Sequence, residues 1–140
     1  MVNLLIGPKG CGKTQQMMDL ANKSVKEYDG NVVFIKKSHK ETSNLTHDIR
    51  VICMADYEAI TNIDEYIGFI YGMISCNHDI QVVFIDGILK HANISSENLP
   101  KFIERLKLIS KEDTVEFFVS CSVEKTELSH LDMTDCSILN

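Results

Sequence analysis

Glycines at positions 7, 10 and 12 interrupt the chain directly after the apolar run of residues 2–6. A short run of this kind, apolar but for Asn3, fits a buried strand. Beyond the glycines, Met17, Met18, Leu20, Ala21 and Val25 recur at helical spacing up to Tyr28. The segment between must therefore turn a buried strand into a helix within a few residues. It reads Gly7-Pro8-Lys9-Gly10-Cys11-Gly12-Lys13-Thr14: glycine, four residues, then Gly-Lys-Thr. A chain of this length meets that pattern by chance roughly once in a few hundred cases. Glycine permits backbone conformations closed to side chains, so successive N–H groups can turn inward around an anion. The N-terminus of the following helix adds unpaired N–H groups and partial positive charge. The expectation is a phosphate cradle from Gly7 through Gln15, including Pro8, Lys9, Gly10, Cys11 and Gly12. Lys13 would reach the β- and γ-phosphates as the catalytic cation, and Thr14 would offer its hydroxyl to Mg²⁺.

The rest of the chain continues the alternation. Gly30 is placed to cap the first helix, and residues 32–35 form a second apolar, β-branched run. Residues 37–48 carry no period and read as a loop, and residues 50–53 read as a weaker strand. Asn62 followed by Glu65 is a capping-box signature opening a helix through Ser75. Residues 82–85 make another buried strand, closed by Asp86. Ser96 could cap a helix whose stripe is Leu99, Phe102, Ile103, Leu106 and Ile109. Residues 115–119 form a further strand that runs into Ser120, and residues 124–140 are left unassigned. Short apolar strands alternating with helices predict one α/β domain of three α/β/α layers over a mostly parallel central sheet. Ligands sit at the carboxyl ends of such strands, where Gly7, Asp86 and Ser120 all fall.

Asp86, at the end of an apolar strand some seventy residues after the loop, is expected to hold Mg²⁺ with Thr14. With both motifs in hand, the chain resembles a P-loop NTPase with a minimal RecA-like or thymidine-kinase-like core. The loop also resembles that of the twitching-motility (type IV pilus retraction) ATPases. The likeness covers the P-loop and nucleotide core only. It implies ATP and Mg²⁺ as cofactors, and a γ-phosphate-sensing role for Ser120 or Ser122. Turn chemistry would account for either serine equally. Many P-loop ATPases carry a water-polarising glutamate after the Walker B aspartate, whereas here Gly87-Ile88-Leu89 follow. Glu41, Asp48 and Asp56 are the substitutes in range, and slow hydrolysis is expected. An Asn/Thr-Lys-x-Asp guanine-reading motif is missing, so ATP is favoured over GTP.

Composition narrows the partners. The net charge is -6, and the nearest thing to a basic stripe is Lys36, Lys37 and Lys40, so nucleic acid is not expected. The five cysteines form no CxxC pair and no zinc spacing, which fits a reducing cytoplasm. No run approaches a membrane span. The reading is a cytoplasmic ATP-binding protein with weak Mg-dependent ATPase activity, acting as a nucleotide-dependent switch or as a subunit with a protein partner or further copies of itself. The alternatives are a phosphotransferase for a nucleoside-type small molecule, and a pseudo-enzyme that binds nucleotide without hydrolysing it.

Overall fold

The computed structural model describes residues 1–40 and 44–140. Six strands among these residues form one sheet: β1 (Val2–Ile6), β2 (Asn31–Lys36), β3 (Arg50–Cys53), β4 (Ile80–Ile85), β5 (Glu116–Cys121) and β6 (Cys136–Ile138). Among the described residues, three α-helices accompany them: α1 (Lys13–Glu27), α2 (Ile63–Cys76) and α3 (Leu99–Asp113). Every pairing is parallel, and the order across the sheet is β3-β2-β4-β5-β1-β6. The fold is the α/β arrangement over a parallel sheet expected from the alternation of strands and helices, and it is consistent with the three-layer P-loop NTPase fold that the resemblance implied.

The period of two along each strand sorts the core into two layers. Leu4 and Ile6 of β1, Val33 and Ile35 of β2, and Val83 and Ile85 of β4 face one way, against α2 and α3. Leu5, Val32, Phe34, Val82 and Phe84 face the other way and meet Met17, Met18 and Ala21 of α1. Between α2 and α3, Tyr66 sets its ring edge-on to Phe102 at 5.5 Å, and both rings are fully buried. A side chain such as Phe102 or Ile70 contributes about 1.5–3 kcal/mol by leaving water.

Local chemistry explains the boundaries, with some departures from expectation. Asn62 caps α2 by accepting the Glu65 N–H at 2.9 Å. The Glu65 carboxylate, however, reaches back one residue further, to the N–H and hydroxyl of Thr61. Gly30 does not cap α1, because the helix already ends at an extended Tyr28. A Cβ at Gly30 would lie 2.3 Å from the Asp79 carbonyl, so glycine is required there by close packing on the start of β4. α3 starts after Asn98 rather than Ser96, with a proline in its first turn. The unassigned C-terminal stretch supplies β6, a three-residue edge strand beside β1. Among the described residues, no helix is long and apolar enough to cross a membrane.

Candidate functional site

The strand order determines which side chains can meet. β5 lies between β1 and β4, so the residues ending these three neighbours, Gly7, Ser120 and Asp86, lie side by side at one edge. A cleft of about 530 Å³ opens there.

The loop is built as its glycines require. Gly7, Gly10 and Gly12 have φ of +142°, +78° and +89°, values that side-chain-bearing residues rarely adopt. A Cβ on Gly7 would also lie 2.9 Å from Cys11 Sγ. Lys13 is the first residue of α1, only 8% exposed, and its ammonium donates to the carbonyls of Gly7 and Pro8, both at 2.8 Å. Lys9, Gly10, Gly12, Lys13, Thr14 and Gln15 line the cleft. Gly7, Pro8 and Cys11 are not among the lining residues and instead hold Lys13, whose ammonium also lies 3.7 Å from Cys11 Sγ. The Gln15 amide is engaged sideways, with Asp19 at 2.9 Å and Asn44 at 3.0 Å.

Asp86 is the hub. Thr14 Oγ1 donates to its Oδ2 at 3.0 Å across 72 positions of sequence. Ser120 Oγ donates to its Oδ1 at 2.8 Å and accepts the Gly87 N–H at 2.7 Å. Ser120 is 1% exposed, and these two bonds turn its hydroxyl toward the acid. The structure thus gives Ser120 a positioning contact on Asp86. The oxygen donors of Thr14 and Asp86 converge as a hard cation such as Mg²⁺ demands, with remaining coordination from water and phosphate. They fit the metal.

Two residues that sequence reasoning missed support this hub. His91 is fully buried, and its Nε2–H donates to the Asp86 carbonyl at 2.8 Å. Nδ1 is therefore the acceptor, facing the Tyr66 hydroxyl at 3.3 Å. Burial pushes the His91 pKa down to about 4, with Lys37 and Lys90 adding to the shift and the Asp86 contact opposing it. The imidazole is neutral, a fixed bracket between α2 and the end of β4. Burial likewise raises the Tyr66 pKa. The sequence offered little signal for the pair, since a histidine five residues after an aspartate has no motif.

The cleft is strongly basic. Lys9, Lys13, Lys36, Lys37, Lys40 and Lys90 line it, six of the fourteen Lys and Arg residues in a chain of net charge -6, with Asp86 as the one lining carboxylate among the described residues. Asp48 is exposed ahead of β3, and Asp56 is hydrogen-bonded to His39 at 2.6 Å. Neither lines the cleft, and Glu41 lies outside the described residues.

Comparison with protein families matches residues 3–97 to the family described as RNA helicase. The chain belongs to the RNA helicase family. The match runs from β1 to the segment before α3, so it takes in the phosphate loop and Asp86 but not Ser120. Membership in the RNA helicase family agrees with the geometry in making this a nucleotide-binding P-loop domain. No curated protein matches the chain.

Proposed function

We propose that the chain binds Mg·ATP in the basic cleft and hydrolyses it slowly, serving as a nucleotide-dependent switch or as a subunit of an assembly. The observation that carries this reading is the Thr14–Asp86–Ser120 chain of hydrogen bonds at the mouth of the glycine loop. Loop N–H groups and Lys13 bind the phosphates, and the converging lysines neutralise their charge. Thr14 and Asp86 would hold Mg²⁺, which would supply neutralisation of the charge that develops on the phosphates. Ser120 keeps Asp86 aimed. Slow turnover follows because the one lining carboxylate among the described residues is committed to Thr14 and Ser120, leaving no general base for the attacking water.

One observation favours a phosphotransferase as the second reading. A neighbouring cavity of about 310 Å³ shares Lys37 and Lys90 with the cleft and brings in Tyr57, Glu58, Thr61 and Asn93. That is room for a small acceptor beside the γ-phosphate. RNA enters through the family's description alone, against a net charge of -6 that disfavours backbone contacts outside the cleft.

Calorimetric titration with ATP, with and without Mg²⁺, paired with phosphate release, tests the reading. Binding strengthened by Mg²⁺ and weakened about 10–100-fold in Lys13→Ala, the loss of charge-assisted bonds to phosphate, is the expected result. Identical binding by wild type and Lys13→Ala would sink it. Phosphate release measured with single-stranded RNA and with nucleoside acceptors separates the switch from a helicase-like motor and from a phosphotransferase.

A further inference from the structure

We propose that His39, Cys53 and Asp56 form a site for one transition-metal ion of the zinc type, separate from the Mg²⁺ position at Thr14 and Asp86. Their ligand atoms all lie within 4.8 Å of one another. Three pieces of chain deliver them. His39 follows β2, Cys53 closes β3, and Asp56 ends the 3-10 turn Met54–Asp56. The backbone holds these pieces together. Lys36 pairs with Cys53 in the sheet, the Ala55 N–H donates to the Lys37 carbonyl at 3.0 Å, and Cys53 Sγ donates to that same carbonyl at 3.6 Å. Cys53 and Asp56 lie three residues apart, at the end of β3 and on the turn after it, and His39 comes from the segment that follows the adjoining strand β2.

The donor set argues for the class of metal. One imidazole, one thiol sulfur and one carboxylate are a borderline-soft combination that suits Zn²⁺ and its neighbours, whereas Mg²⁺ takes oxygen alone. Tetrahedral bonds of 2.0–2.3 Å place ligand atoms about 3.3–3.7 Å apart. His39 Nε2 and Asp56 Oδ1, now 2.6 Å apart, need to separate by only about 1 Å, and the pairs with Cys53 Sγ already lie within 4.8 Å. The side chains of His39 and Asp56 are 68% and 52% exposed, so both can make that adjustment, while Cys53 stays fixed in the core edge. Water fills the fourth position. An ion here would release the thiol proton to solvent and clamp the segment that carries Lys37, Ser38 and Lys40 into the nucleotide cleft. The absence of a cysteine pair hid the site from sequence, since its ligands have three different chemistries.

The test is titration of the full, reduced, metal-free chain with Co²⁺ as a spectroscopic probe, followed by Zn²⁺ competition. The site predicts a thiolate-to-cobalt charge-transfer absorption that saturates at about one equivalent and is displaced by Zn²⁺. The band is lost in Cys53→Ser and persists in Lys13→Ala. His39→Ala and Asp56→Ala change exposed residues, so folding is not at stake. Each is expected to weaken binding at least about tenfold, since loss of even an outer-shell partner costs that much. No saturable band, or a band unchanged in Cys53→Ser because the exposed Cys11 or Cys76 supplies the sulfur, overturns the proposal. So does a simple His39–Asp56 ion pair, revealed by unchanged affinity in both alanine variants.

Discussion

Asp86 has both carboxylate oxygens occupied by hydroxyls, Thr14 on one side and Ser120 on the other. Ser120→Ala strips a partner from Asp86 Oδ1 and from the Gly87 N–H together. Leaving buried polar groups unpaired costs about 1–3 kcal/mol, readable as a lower urea midpoint with an unchanged slope. The same variant is expected to lose part of the Mg²⁺ enhancement of ATP binding while binding Mg²⁺-free ATP as wild type does. Calorimetry at both conditions checks this, and an equal loss in both would make Ser120 a phosphate contact instead. At this scale the sequence was most legible in the loop, because a positive φ is imposed locally and only glycine meets it readily. The contact between Ser120 and Asp86 was not legible, for it depends on which strand lies between which.

Among the elements, α2 and the end of β4 are joined through Tyr66 and His91. The folded His91 pKa, about 4, lies below the ordinary 6.5, so the unfolded chain binds the extra proton between these values. The stabilising contribution is complete above about pH 6.5 and is lost as pH falls toward 4. Between pH 7.5 and 4.5 this one group should remove stability on the order of 2–3 kcal/mol. Urea denaturation across that range should show a shallower pH dependence in His91→Asn than in wild type, and parallel curves would refute the bracket. The N-cap of α2 gives a second expectation: Asn62→Ala should cost about 1 kcal/mol in the same assay. That cap was legible because its donor sits three residues away in the chain. Gly30 was misread as a helix cap because its reason, the Asp79 carbonyl, lies across the fold. β6 escaped notice because three residues are too few to establish a period.

The whole molecule owes its α/β character to a pattern visible in sequence, since buried strands and amphipathic helices alternate along the chain. The strand order was not visible, and neither was the gathering of six lysines, which come from the loop, α1, the end of β2 with its following loop, and the turn after β4. A chain that looks acidic when counted is electrically lopsided when folded. Six of its fourteen basic residues gather at one opening, and the rest of the molecule is more negative than the total charge suggests. Such an opening favours the approach of small anions over that of large ones, which also meet the net negative remainder of the molecule. The association rate of ATP, followed by stopped flow with a fluorescent analogue, should therefore fall steeply with added salt while the dissociation rate changes little. The same asymmetry gives each molecule a preferred heading as it approaches anything charged, with the phosphate-binding edge turned toward the more negative body.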